Sequence, residues 1–239
     1  MNVDVAFIAE GINPKRLQGK RAILIDIIRA TTTIVTAFQN GCLSVIPCLT
    51  PEEAFEKARK FLKGECLIGG ARNGVKVPGF DLGNSPREYT REVIQGKHLV
   101  LSTTNGTRAL RALSPAKEVA IGAFLNASAV SRWAAGQGSD LLIACAGLRG
   151  SFSLEDAVCA GLVVERLSEA VGKEIKKTDS AKACQILYWH YKGNFLGMLR
   201  ESEWGRELEG RGLIEDLRYC SRVDIASIVP RMQEGRITL

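Results

Sequence analysis

The chain has 239 residues, 46% of them hydrophobic and 24% charged, enough to bury one substantial core and form a single domain over 1–239. Its net charge of +6 comes from Lys and Arg that alternate with Glu and Asp, with no basic run and no interleaved aromatic platform, so a small anionic ligand is expected and a nucleic acid is not. Seven cysteines without metal-ligand spacing, no basic and apolar leader at Met1-Asn2-Val3-Asp4-Val5, and no run of membrane-spanning length point to a cytoplasmic protein with reduced thiols.

Residues 3–8 alternate weakly and read as a first strand, and Ala22-Ile23-Leu24-Ile25 reads as a buried one. The next stretch, Asp26-Ile27-Ile28-Arg29-Ala30-Thr31-Thr32-Thr33, sets a carboxylate, a guanidinium and three hydroxyls where that strand hands over to a helix starting in 34–38. In an open α/β sheet this is where ligands bind, because a helix N-terminus offers free N–H groups to an anion. A helix cap with Arg29 paired to Asp26 accounts for the same residues.

Residues 44–49 form a short strand, with Pro47 marking an edge or bulge. Thr50-Pro51-Glu52-Glu53 opens a helix that ends at Gly64, and 66–69 is the next strand. From Gly70 to Ser85 no periodicity is present, which predicts a long functional loop carrying Arg72-Asn73-Gly74 and Gly79-Phe80-Asp81-Leu82-Gly83-Asn84-Ser85-Pro86. Ser85-Pro86-Arg87-Glu88 has the form of a second capping box, placing Asn84 and Ser85 at a helix N-terminus.

The strand 98–101 runs into Ser102-Thr103-Thr104-Asn105-Gly106-Thr107 and a helix, repeating the design of 22–38. Strands follow at 118–122 and 141–146, with Asn126 set to cap a helix to Gly136, and Ser153-Leu154-Glu155-Asp156 opens a helix to about Val171. Residues 171–239 are mainly helical, carry little recognisable chemistry, and end in short strands around 227–229 and 236–239.

Strands alternating with helices predict an α/β protein, three-layer α/β/α with a largely parallel central sheet. In that topology the loops after the strands share one edge and bring together Asp26 to Thr33, Asn84-Ser85, Ser102 to Thr107 and Arg149 to Asp156. Hydroxyls, helix N-termini and the fixed charges of Arg29, Arg72 and Arg149 suit a phosphate or doubly anionic ligand. The carboxylates of Asp26, Asp81, Glu155 and Asp156 are natural ligands for magnesium, which would neutralise charge on a departing phosphate oxygen. Plainer roles exist for three of them: Glu155 and Asp156 as helix-start charge, Asp81 as a turn residue.

No Gly-x-x-x-x-Gly-Lys-Ser/Thr loop, no Gly-x-Gly-x-x-Gly after a strand and no Gly-x-Ser-x-Gly elbow occur, which disfavours nucleoside triphosphatases, dinucleotide enzymes and serine hydrolases. The two histidines, His98 and His190, read as structural. Cys66 and Arg72 have the spacing of a cysteine phosphatase loop, but Leu67 and Ile68 between them read as strand, and Cys145 and Cys159 read as small core residues.

Four blocks resemble, in order, the signature of the 2-phosphosulfolactate phosphatase family: Asp26 to Thr33; Gly79 to Pro86; Ser102 to Thr107; and Cys145-Ala146-Gly147 with Phe152 to Asp156 and Cys159-Ala160-Gly161. The resemblance spans most of residues 22–165. It implies a family-specific three-layer phosphatase fold, a homodimer, and magnesium-dependent hydrolysis of phosphosulfolactate to sulfolactate and phosphate in coenzyme M biosynthesis. On this reading Asp26, Arg29 and Asp81 are catalytic, and Asp26 with Glu155 or Asp156 holds Mg2+. Arg29, Thr31, Thr32 and the loop Ser102, Thr103, Thr104, Asn105, Gly106, Thr107 grip the phosphoryl group. Asn84 and Ser85 contact substrate, and Arg72 or Arg149 holds the sulfonate or carboxylate. One departure stands out: Gly70-Ala71-Arg72 occupies the place of a Gly-Glu-Arg pattern, removing a carboxylate, while Ser102 replaces a common threonine and keeps the hydroxyl. The alternatives are a phosphatase for another small phosphorylated hydroxy acid and a non-catalytic phosphoryl-ligand binding protein.

Overall fold

The computed structural model describes residues 1–136, 139–172 and 175–239. The first half of the chain supplies β1 (Asn2–Ala6), β2 (Arg21–Ile25), α1 (Ala30–Gln39), β3 (Ser44–Cys48), α2 (Pro51–Ala58), β4 (Cys66–Arg72), β5 (Val75–Lys76), α3 (Arg91–Ile94), β6 (His98–Ser102), α4 (Gly106–Ala112) and β7 (Glu118–Gly122). The second half adds α5 (Ala127–Ala135), β8 (Leu141–Cys145), α6 (Leu154–Val171), β9 (Lys176–Lys177), α7 (Asp179–Tyr191), α8 (Phe195–Glu201), α9 (Glu203–Gly210), α10 (Ile214–Cys220), β10 (Arg231–Gln233) and β11 (Arg236–Thr238).

Among the described residues the strands form one sheet in the order β5-β4-β6-β3-β11-β10-β7-β2-β8-β1-β9. Two parallel groups, β4-β6-β3 and β7-β2-β8-β1-β9, are joined by the antiparallel hairpin β10-β11. The fold is α/β/α as expected, but the sheet is mixed. Antiparallel steps from β7 to β10, β10 to β11 and β11 to β3 leave the two groups running in opposite senses. Their carboxyl ends therefore do not share one edge of a flat sheet. The segments that follow them still meet: the Thr33 hydroxyl, in α1, donates to the Asn84 carbonyl at 2.9 Å, in the loop after β5.

The burial pattern explains the elements. Every residue of β2 and β8 is buried, as expected for strands covered on both faces. Helix α1 is buried from Ala30 to Phe38 and has no charged residue, so it is a core helix rather than a surface one. Helices α5, α6 and α7 pack together over the β7-β2-β8-β1 group. In the other group, successive strand residues face opposite layers: Val45 and Leu99 join the main core, while Cys48 and Val100 join a smaller cluster with Ala54, Val77 and Phe80. Pro47 is accommodated because β3 pairs with β11 only at Val45.

Several local expectations change. Strand β4 runs on to Arg72 and turns back into β5 through Asn73-Gly74, both with positive φ (50° and 79°), so part of the expected 70–85 loop is a tight hairpin. Helix α2 is capped by Thr50 as expected but stops at Ala58. Asn126 does not cap α5; its side chain accepts from Ala123 N–H and donates to the carbonyls of Ile121 and Ile228, tying β7 to the C-terminal segment. Beyond Pro230 the last two strands form, so 227–229 is not one of them.

Candidate active site

The residues after β2 and β6 converge on a small cleft of about 50 Å³ lined by Asp26, Ile28, Arg29, Ala71, Asn73, Gly74, Asn84, Thr103, Thr104, Asn105, Leu148, Arg149 and Trp204. A roomier cavity of about 490 Å³ lies between β3, α4 and the β10-β11 turn, but of the expected site residues it includes only Thr107. The small cleft gathers the polar groups and is the site by its chemistry.

Close backbone approach makes the convergence. A Cβ on Gly106 would lie 2.9 Å from Asp26 Oδ2, so only glycine lets α4 begin beside that carboxylate. Gly70, at φ 136°, lies where a Cβ would fall 2.0 Å from the Ser102 carbonyl, which brings β4 and the hairpin after it against β6.

The threonines after β2 do not face the cleft. Thr31 Oγ1 donates to the Asp26 carbonyl at 2.9 Å and accepts from Asp26 N–H, and Thr32 Oγ1 donates to the Ile27 carbonyl at 2.9 Å. Ser102 donates to the Cys48 carbonyl and accepts from Arg72 Nη2, and Thr107 donates to the Thr103 carbonyl. Thr103 differs: its Oγ1 is buried with no protein partner, and so is Asn84 Oδ1. Buried polar atoms left unpaired are costly, and two of them in one polar cleft mark where a ligand's own polar atoms belong.

Arg29 lies on the cleft wall and is not paired with Asp26. Its Nη1 donates to Asp216 Oδ2 at 2.6 Å and its Nη2 to the Gly74 carbonyl at 3.0 Å. Arg149, its side chain 53% exposed, sits at the mouth over the Trp204 ring, paired with Glu207 at 2.9 Å. Arg72 is turned away from the cleft toward the Ala71 and Leu49 carbonyls and Ser102. Ser85 stands behind the wall, its hydroxyl donating to Asp216 Oδ1 at 2.7 Å, and its residue pair with Glu88 begins only a three-residue turn of 3₁₀ helix. Asp81 is outside the cleft, an exposed turn residue accepting from Ile68 N–H.

Three carboxylates, Asp26, Glu155 and Asp156, are buried together here. Burial, with the Glu155 charge adding to it, pushes Asp26 up to about 6 against the pull of the Ala30 N–H and Arg29. Burial likewise raises Glu155, and burial with the charges of Asp26 and Glu155 holds Asp156 well above the usual carboxylate range. Asp156 is committed to backbone, accepting from Ile27 N–H at 2.9 Å and Gly147 N–H at 3.2 Å, which pins the ends of β2 and β8 to the start of α6. Asp26 is therefore the one of the three that lines the cleft. Cys66 lies in β4 outside the cleft with its thiol pushed up by burial, the opposite of what a phosphatase nucleophile needs.

The structure thus brings together Asp26, Arg29, Asn84, Thr103, Thr104, Asn105 and Arg149, with Gly106 beside Asp26, and leaves Asp81, Thr31, Thr32, Arg72, Ser85, Ser102, Thr107, Glu155 and Asp156 outside the lining. The residues that sequence reasoning missed are Asn73, Gly74, Trp204 and Asp216. The Asn-Gly pair was a readable hairpin signal; nothing local marks Trp204 or Asp216.

Comparison with known proteins identifies the family. Residues 6–235 match the family model described as 2-phosphosulpholactate phosphatase. The chain is 40% identical over 238 residues to a probable 2-phosphosulfolactate phosphatase of Clostridium beijerinckii, covering 100% of this chain and 99% of that one. Proteins of the same name from Clostridium perfringens (39% over 239 residues, 99% and 96% covered) and Symbiobacterium thermophilum (40% over 225 residues, 94% and 96% covered) are similar throughout. With three of the four motif blocks lining one cleft and a family match running through nearly all its length, the chain belongs to the 2-phosphosulfolactate phosphatase family of phosphoric monoester hydrolases.

Proposed function

We propose that this protein is a magnesium-dependent phosphatase that hydrolyses 2-phosphosulfolactate to sulfolactate and phosphate, working in the cytoplasm as a homodimer. The names of its relatives support the substrate. The observation that carries the reading is one cleft holding Asp26, the Arg29 guanidinium and two buried, unpartnered polar atoms, Asn84 Oδ1 and Thr103 Oγ1. Seven free thiols fit a reducing compartment, and no helix among the described residues is long and apolar enough to cross a membrane.

Magnesium fits this donor set. Asp26 is a carboxylate whose charge is disfavoured until a cation approaches, and Asn84 offers a free amide oxygen. Among the described residues no three His, Cys, Asp or Glu side chains form a metal cage; magnesium usually needs only one or two carboxylates beside waters and substrate oxygens. When bound, the ion supplies neutralisation of phosphoryl charge.

The chain's own groups do the rest. Arg29, with two N–H groups engaged by Asp216 and Gly74, turns its remaining donors on the phosphoryl oxygens. The Thr103 hydroxyl donates to the same group. Arg149 at the mouth takes the second anion of the substrate, and Trp204 beneath it closes that side against water. Water oxygen bonds to phosphorus, the phosphorus bond to the C2 oxygen breaks, and that oxygen takes the proton. Ala71 favours a second reading at the level of substrate: it lines the cleft where the family pattern has glutamate, so a phosphorylated hydroxy acid of different charge could be preferred.

The test is phosphate release from 2-phosphosulfolactate, 2-phospholactate and 3-phosphoglycerate, each with magnesium and with excess chelator. Fastest release from the sulfonate ester, abolished by chelator, is the expected result. Release unaffected by chelator removes the metal, preference for an ester without sulfonate moves the substrate, and binding without release leaves a binding protein. Sedimentation velocity reads the homodimer.

A further inference from the structure

Arg29 and Asp216 are 187 residues apart in sequence, yet they form an ion pair at 2.6 Å with side chains only 4% and 2% exposed. The second oxygen of Asp216 accepts from the Ser85 hydroxyl at 2.7 Å, and the second arm of Arg29 donates to the Gly74 carbonyl at 3.0 Å. Four separate segments meet here: the loop before α1, the hairpin turn, the 3₁₀ turn at 86–88 and α10. Arg29 lines the cleft and Asp216 does not, so the direct route from Asp216 to a ligand runs through Arg29.

A carboxylate beside a guanidinium weakens its pull on an anion, so the pairing is not explained by attraction for substrate. What it adds is direction. A long, flexible side chain fixed before the ligand arrives loses less freedom on binding and presents its donors at a set angle. The Ser85 bond keeps the Asp216 carboxylate from rotating out of that plane.

We infer that Asp216, on α10, is a positioning residue that aims the Arg29 guanidinium at the phosphoryl group, which makes the C-terminal helices part of the catalytic apparatus rather than packing. This rests on the proposed phosphatase function, in which Arg29 contacts the phosphoryl oxygens. Asp216→Asn keeps the shape and removes the charged acceptor; Asp216→Glu keeps the charge and moves it by one methylene.

The experiment measures kcat and KM for 2-phosphosulfolactate with magnesium, and the Kd of inorganic phosphate by calorimetry, well below each variant's melting temperature. Asp216→Asn is made in the unmodified chain and in an Arg29→Lys chain. A misaimed guanidinium is expected to cut kcat/KM about 10²-fold and to weaken phosphate binding about tenfold. In the Arg29→Lys chain the same substitution is expected to cost almost nothing further, because its route of action is already gone. A purely structural residue would lower the melting temperature and leave these ratios alone. Unmodified kinetics in Asp216→Asn, or an equal loss in both backgrounds, overturns the inference; if Asp216→Asn does not fold, unmodified kinetics in Asp216→Glu overturns it. Should the unmodified chain release no phosphate, the proposed function fails, and the phosphate Kd alone decides the role of Asp216.

Discussion

Two stretches of this chain share one design, a buried strand running into hydroxyl residues at a helix start, and they use those hydroxyls differently. After β2, Thr31, Thr32 and Thr33, in the first turn of α1, all donate to backbone carbonyls, two in the loop just before that helix and one at Asn84. After β6, Ser102 and Thr107 are spent the same way, but Thr103 keeps a buried hydroxyl with no partner on the cleft wall. The first loop is a frame that holds Asp26 and Arg29 in place. The second, brought against it at Gly106, carries a hydroxyl left for something else. A cluster of threonines identifies such a region; only the partner of each hydroxyl tells frame from contact.

Matched substitutions can break that comparison. Thr103→Val removes an unpaired buried hydroxyl at constant shape and is expected to lower kcat/KM about 10–100-fold while leaving stability unchanged or raised. Thr31→Val removes a hydroxyl that both donates and accepts, and is expected to cost about 1–2 kcal/mol of stability in urea titration, with kcat/KM far less affected. Equal losses of activity in the two variants would mean that the loops are not divided as described.

The pH profile sharpens the role of Asp26. With this carboxyl pushed up to about 6 in the metal-free protein, Mg2+ affinity should weaken about tenfold per unit below that pH, because the cation binds the ionised form. Stability of the metal-free protein moves the other way. The folded value lies above the ordinary 3.8, so the fold holds this proton more tightly than the open chain does. Asp26 is therefore harmless below about pH 4, and it destabilises increasingly as pH rises to about 6, reaching roughly 3 kcal/mol at most above that. In chelator at pH 8, Asp26→Asn should accordingly melt above the unmodified protein, and the gap should close by about pH 4. A gap that is absent at pH 8 would mean the carboxylate is not strained by its surroundings.

Smaller effects follow at the margins of the cleft. Arg149→Ala, at the half-exposed mouth, is expected to raise KM several-fold with kcat nearly kept, about 1 kcal/mol of binding. Cys66→Ser is expected to change neither constant, because that thiol is outside the cleft and raised by burial. Inactivation of Cys66→Ser would revive a cysteine mechanism.

Much of this arrangement could be read from residue order. The apolar runs of β2, β6 and β8 and the Ser153 cap of α6 are local signals, and the structure places all four as expected. Charge inventory was less informative. Glu155 and Asp156 adjoin Asp26 in space, but Asp156 spends both oxygens on the N–H groups of Ile27 and Gly147. Asp81 looked equally acidic and turned out to stitch a turn. The hairpin β10-β11 enters the middle of the sheet from the far end of the chain, and Trp204 on α9 and Asp216 on α10 reach the site through equally long-range packing. No periodicity or spacing encodes a pairing across 187 residues.

The measurement that bears most directly on the account is phosphate release from 2-phosphosulfolactate by Asp26→Asn at saturating magnesium, beside the unmodified chain and with folding checked by melting temperature. Asp26→Asn is expected to fold and to show at least about 10²-fold lower kcat/KM. A folded Asp26→Asn protein with near-normal turnover would contradict it and remove Asp26, and with it this cleft, from the reaction.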